Sequence, residues 1–329
     1  MTQVASGLRG VASDCRRVVL HADDLGFSSA IDDGICESFS QGLLTSTSVL
    51  ANGPSATSGL ARVNQISESL AAAGIQSDGW RSKLDTPFRP FDLGVHLNLT
   101  QGRPLTAERF PSALLDGDGC FVGPRRLFLL LLQSGQRWSA SIRAELAAQI
   151  SWVYDHGVQP SHVNGHHYLE LYPAILEILG ELLDRYSIRV VRCAYERETR
   201  GIAELARNPR SWVEAALQRR SARHFARRAE AMDFSWPAGY FGSGRAGRIR
   251  LLDLSQRLSA SGTEPMIEIG LHPGDTGPSP KEVTEAWFDA LAELRPLERD
   301  MLCSDALGEL LEARKLRLGR LADLARAAE

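Results

Sequence analysis

The chain has 329 residues, of which 43% are hydrophobic, 23% charged and 7% aromatic, with a formal net charge of −3. That composition belongs to a folded globular protein and excludes a mainly disordered or collagen-like chain. With 37 basic against 40 acidic residues there is no global positive field, so no nucleic-acid partner is expected.

The first strand is Arg17 to Ala22, a β-branched and apolar run that ends in Asp23-Asp24-Leu25-Gly26. A helix follows with Ile31, Ile35 and Phe39 on one face and Gly42 as its stop. Leu43–Leu50 reads as a second strand, Ser55–Ala73 as a second helix and Phe91–Leu97 as a third strand. Helix Ser141–His156 leads into strand Ser161–His166, and helix Ala174–Tyr186 into strand Ile188–Ala194. Late strands are expected at Met266–His272 and, briefly, at Met301–Cys303. Strands alternating with helices of this length imply βαβ units and a parallel sheet. Their spread without an internal linker favours one barrel-like α/β domain over residues 17–310, with a doubly wound sheet as the alternative. Residues 1–16 read as an N-terminal extension and 311–329 as a C-terminal helix.

Two segments break the alternation. Residues 74–90 are polar, carry Gly and Pro, and read as a loop insertion. Residues 197–230 hold nine arginines against four glutamates and, with the stretch up to 245, read as a helical and loop cap. Helical spacing sets Arg219, Arg223 and Arg227 on one stripe. A solvated face is the ordinary role for such a stripe; contact with an anionic membrane surface or a phosphate-bearing substrate is the functional one.

The longest apolar run, Leu127–Leu132, is far short of the roughly 20 residues a spanning helix needs. Residues 1–14 lack the apolar core of a secretory signal. The five cysteines, Cys15, Cys36, Cys120, Cys193 and Cys303, stand singly, which suits a reducing compartment. A cytoplasmic location is expected, compatible with peripheral membrane contact and with a homodimer.

The chemistry concentrates at strand ends. Asp23-Asp24, His96, His166-His167 and His272 each lie at or just after the C-terminal end of an expected strand. In parallel α/β folds those ends converge on one face, where active sites are built. Taken singly, Asp-Asp can be a helix cap and His96 a core histidine; four segments delivering acids and imidazoles to one rim point to a site. His166 and His167 are adjacent, so in a strand they face opposite ways and only one can be a metal ligand. The residue types suit a divalent metal held by one carboxylate and two imidazoles, with the remaining aspartate and histidine as base and acid. That inventory serves metal-assisted hydrolysis of an amide or ester.

Five ordered segments carry a resemblance: HADDLGFS (21–28), GLLTSTSVLANGP (42–54), GVHLNLTQGRPL (94–105), PSHVNGHHYLELYP (160–173) and EIGLHPGD (268–275). Together they resemble the YdjC-like carbohydrate deacetylases, which include chito-oligosaccharide and hopanoid-associated deacetylases. The resemblance implies a distorted (β/α) barrel of the glycoside hydrolase/deacetylase type. It implies Asp24, His96 and His166 as ligands of one divalent ion, Mg or Zn, with Asp23 as general base and His272 as general acid. The chain departs from the pattern in having Asn164 where some members carry aspartate, and in reading YLELYP after the tandem histidines.

The implied reaction is metal-dependent N-deacetylation of an acetamido sugar or glycoconjugate, releasing acetate and a free amine. Two rivals are another metallohydrolase, phosphoesterase-like, on the same Asp-His-His site, and a non-catalytic sugar- or lipid-binding protein. Trp236, Tyr240 and Phe241, set among turn residues, are the expected substrate wall, since aromatic faces stack on sugar rings.

Overall fold

The computed structural model describes residues 16–72, 91–194, 196, 209–260, 264–275 and 286–325. The expected insertion at 74–90 and the first part of the Arg-rich segment lie outside these residues, as do Cys15 and most of the N-terminal extension.

Strand β1 (Arg17–Leu25) leads into helix α1 (Ser29–Ser40), then β2 (Ser46–Val49), α2 (Ala56–Ala72) and β3 (Asp92–Leu97). Next come α3 (Pro124–Ser134), α4 (Ser139–Asp155), β4 (His162–Gly165), α5 (Pro173–Arg185), β5 (Val190–Val191) and α6 (Pro209–Ala231). The chain continues through β6 (Gly239–Phe241), α7 (Leu251–Ala260), β7 (Met266–Leu271), α8 (Arg295–Leu302), α9 (Asp305–Ala313), β8 (Arg317–Leu318) and α10 (Ala322–Ala325). The strands form one parallel sheet in the order β5-β4-β3-β2-β1-β7-β6, and β8 pairs with the first two residues of β1. Ser235 bridges to Val190 of β5, and four residues later β6 pairs with β7. One short stretch therefore touches both edges of the sheet and curls it into the expected distorted barrel.

The strands are legible because a parallel sheet covered on both faces buries nearly every side chain. Val18, Val19 and Leu20 are fully buried. Helix α1 begins where the Ser28 side chain accepts the Ile31 N–H at 3.4 Å, a cap that satisfies an otherwise orphaned donor. Its inward stripe is Ile31, Ile35 and Phe39, and it also buries Asp32, whose carboxylate accepts the Gly26 N–H at 2.7 Å. That bond ties the turn after β1 to the helix. Gly34 of α1 lies against Gly274; a Cβ there would come within 2.4 Å of the Gly274 Cα, so only glycine lets the loop after β7 approach this closely.

Helix α4 performs the same service for the loop after β3. Its buried Gln149 accepts from the Asn98 N–H and donates to the Asn98 carbonyl, at 2.9 and 2.7 Å. Its buried Glu145 accepts from the backbone of Leu105 and Thr106.

Several expected boundaries move. The strand expected at Met301–Cys303 is the end of helix α8, whose buried Arg295, Glu298, Met301 and Leu302 recur at helical spacing. The segment 311–329 is not one helix: α9 stops at Ala313, and β8 returns the chain to the sheet before α10. The apolar run 127–132 belongs to α3. No helix among the described residues is long and apolar enough to cross a membrane.

Candidate active site

Two consecutive residues of a regular strand face opposite sides of the sheet. Asp23 and Asp24 nevertheless line one cavity. A bulge reconciles the two facts: β1 pairs Ala22 with Thr47 and then Leu25 with Val49, spending three residues against two. Asp24 takes up the extra step at φ 71°, in the left-handed region that Asp tolerates better than most residues. Such a backbone conformation costs on the order of 1 kcal/mol and persists where the surroundings enforce it.

Asp24 meets two imidazoles. Its Oδ1 lies 3.4 Å from His96 Nε2, from β3, and 3.1 Å from His166 Nδ1, just past β4; the two ring nitrogens are 3.3 Å apart. One ligand atom from each of the three residues falls within 4.8 Å of the others. All three residues are buried, and Oδ1 of Asp24 has no hydrogen-bond partner. Its other oxygen accepts from Arg295 at 2.8 Å. Burial alone would raise the Asp24 pKa, but the Arg295 charge and the imidazoles hold it well below the usual carboxylate range. One carboxylate and two imidazoles, each able to offer a lone pair to the same point, form a donor set that fits a divalent transition ion.

The orientation of His96 is fixed from behind. A carboxylate only accepts, so the side-chain nitrogen of Asn164 faces Asp23 Oδ1, at 2.8 Å. The Asn164 oxygen then accepts from His96 Nδ1 at 2.9 Å, which leaves Nε2 as the ring nitrogen that faces Asp24. Burial opposes charge on His96, yet Asp23 and Asp24 raise its pKa.

Asp23 is held separately. Arg192, 1% exposed at the end of β5, donates to its Oδ2 at 2.7 Å and pairs with Glu268 of β7 at the same distance. Against the pull of burial, the Arg192 charge keeps Asp23 ionised, with its pKa well below the ordinary value. His272 Nε2 lies 3.7 Å from the same Oδ2. The His272 backbone N–H donates to Glu298 of α8 at 2.6 Å, and burial lowers the pKa of its ring.

The cavity has a volume of about 260 Å³ and brings Asp23, Asp24, His96, His166 and His272 together with His167. His167 thus shares a face with His166, against the alternation expected of a strand. The strand stops at Gly165, and both histidines sit in a tight turn where His167 and Tyr168 adopt φ of 56° and 57°. His167 stays outside the three-residue cluster, bonded to Thr100 Oγ1 at 2.9 Å. Burial and the neighbouring His166 push its pKa down to about 3.

The expected substrate wall is not at the cavity. Trp236, Tyr240 and Phe241 are 4%, 1% and 2% exposed: Tyr240 and Phe241 belong to sheet strand β6, and Trp236, just before it, packs into the same core. Tyr168 and Phe288 are the aromatic side chains at the cavity besides Phe27. Arg223 and Arg227 are exposed on α6, the Arg219 side chain lies outside the described residues, and no described residue of α6 lines the cavity.

Arg192 and Arg295 are absent from the residues picked out in the sequence. Arg192 lies inside the strand expected at Ile188–Ala194; because β5 ends at Val191, it stands just past a strand end like the histidines. Arg295 comes from the first turn of α8, far from any strand end, and no local pattern marks it.

A family model described as YdjC-like protein matches residues 17–313. A carbohydrate deacetylase of Homo sapiens is 30% identical over 234 residues, covering 70% of this chain and 64% of that protein. One from Mus musculus is 32% identical over 203 residues, 60% of this chain and 54% of that one. One from Geobacillus stearothermophilus is 33% identical over 181 residues, 54% and 61% of the two chains. The chain therefore matches between about half and two thirds of the length of these relatives. A solved structure described as a candidate cellobiose-phosphate cleavage protein, from Enterococcus faecalis V583, superposes with a TM-score of 0.69 at 18% identity, covering 94% of this chain and 99% of that one; the likeness is one of fold.

Proposed function

The chain belongs to the YdjC-like family, and from that membership and the site geometry we propose that it is a metal-dependent hydrolase removing the acetyl group from an acetamido sugar or glycoconjugate. The observation that carries the reading is the Asp24–His96–His166 cluster standing beside Asp23 and a neighbouring His272. The relatives named carbohydrate deacetylase support the substrate class.

Asp24, His96 and His166 would hold a divalent ion, zinc or magnesium, with imidazole ligands favouring zinc. Bound there, such an ion would supply Lewis acidity to the acetyl carbonyl and acidify an attacking water. Asp23 accepts the proton that the water loses as it attacks. Arg192 and Asn164 anchor both of its oxygens, so the base is fixed in orientation before substrate arrives. His272 faces the same Asp23 oxygen and delivers a proton to the departing amine, which leaves poorly without one. Burial disfavours the ring as a cation, so His272 starts neutral and takes the water's proton from the Asp23 oxygen it faces before passing it to the amine. The proton taken from water thus ends on the amine, and the products are acetate and an amino sugar.

The test is acetate release from a panel of N-acetylated sugars, using protein stripped with a chelator and then reloaded with zinc or magnesium. Acetate produced by the reloaded protein alone supports the reading; phosphate release from phosphoesters without acetate would favour the phosphoesterase rival.

A further inference from the structure

Among the described residues five large apolar side chains are exposed: Leu105, Leu129, Leu132, Leu252 and Phe288. A single exposed apolar residue is ordinary and needs no explanation. Phe288 differs in three respects: it is aromatic, it is 70% exposed, and it lines the cavity that holds the Asp24–His96–His166 cluster.

It is also held still. The Gln101 side chain grips the Phe288 backbone from both ends, accepting its N–H at 3.1 Å and donating to its carbonyl at 3.2 Å. On one side Trp287 is buried edge-on against Phe27, with ring centroids 5.0 Å apart. Its indole fills the space over Gly102, where a Cβ would come within 2.4 Å. On the other side Asp289 pairs with Arg295 at 2.8 Å, and Arg295 in turn holds Asp24. The anchored neighbours leave the Phe288 ring as the part of this rim that faces outward.

We propose that Phe288 is the platform on which the sugar ring of the substrate stacks, with Gln101, Trp287 and Asp289 as the residues that position it. This rests on the reading of a carbohydrate substrate given above. One face of a pyranose presents axial C–H bonds that carry partial positive charge, and the face of an aromatic ring carries partial negative charge. A backbone held in advance leaves less chain to order when a ligand binds. The polar groups that a sugar needs at its edges stand beside it, since Gln101, Ser243, Asp289 and His167 line the same cavity.

The experiment titrates N-acetylglucosamine into wild-type protein, Phe288→Ala and Phe288→Trp, reading binding by NMR and the fold by thermal unfolding. The alanine variant should weaken binding by about two- to tenfold, the range expected for one aromatic contact. The tryptophan variant should bind as wild type or tighter, and the unfolding temperature should hold because the ring is exposed. Equal binding by wild type and Phe288→Ala, or no sugar binding by wild type, overturns the platform. Acetate release by the wild type is measured separately. Weakened binding with no acetate leaves the platform standing and removes the deacetylation reading; acetate release with unchanged binding does the reverse.

Discussion

His96 donates from Nδ1 to the side-chain oxygen of Asn164 at 2.9 Å, and that one amide also donates to Asp23. A single neutral residue therefore sets the tautomer of a candidate ligand and the position of the candidate base. A carboxylate at 164 would face Asp23 at hydrogen-bond distance, with like charges opposed. Partners of this kind typically govern metal affinity by 10–100-fold. Asn164→Ala should weaken zinc binding by about that range while the protein stays folded. Unchanged zinc affinity in a calorimetric titration would show that the bond to His96 does not matter.

Arg192 is fully inside the barrel and neutralises both Asp23 and Glu268. Its replacement by methionine leaves two carboxylates buried without a cation. Breaking a buried pair in this way costs about 3–5 kcal/mol. Urea unfolding of Arg192→Met should show a loss of that order, and a loss below about 1 kcal/mol would contradict the pairing.

The metal cluster and its neighbour separate by mutation. His96→Ala should abolish retention of zinc, whereas His167→Ala should retain it, because His167 bonds to Thr100 and lies outside the cluster. Metal analysis of the two purified variants decides the point, and equal loss in both would mean that the wrong member of the histidine pair was assigned.

Asp32 provides a pH test away from the reaction. Burial pushes its carboxyl from 3.8 up to about 7, despite the Gly26 N–H it accepts. The folded chain thus holds a proton that the unfolded chain has already lost. This contribution to stability is full below about pH 4 and is lost as the pH rises through 7. Asparagine cannot ionise, so Asp32→Asn should gain on the wild type between about pH 5 and 8, by a few kcal/mol. A stability difference that does not change with pH would place the Asp32 proton elsewhere.

How far the site could be read in advance follows from which forces act locally. Runs such as Val18-Val19-Leu20 and Ile267 to Leu271 announce strands buried on both faces, and acids and imidazoles just past them announce the rim. The β1 bulge left no such mark, since it depends on the pairing of β1 with β2. Met301–Cys303 misled because a short apolar run reads equally as strand or helix, and its helical spacing emerges only when Arg295 and Glu298 count as buried. Trp236, Tyr240 and Phe241 misled because Pro237 and Gly239 suggest a loop, while the partner that makes 239–241 a strand lies at 267–269. Phe288 sits in a segment whose position is set by Gln101, 187 residues away in sequence.

The most direct measurement follows acetate released from an N-acetylated sugar while zinc is titrated into metal-stripped protein. Activity should be absent at the start, rise with added zinc and saturate at one equivalent per chain, and His96→Ala should give none at any zinc level. Acetate release that persists in excess chelator, or that His96→Ala retains, would contradict a reaction carried by Asp24, His96 and His166 around one ion.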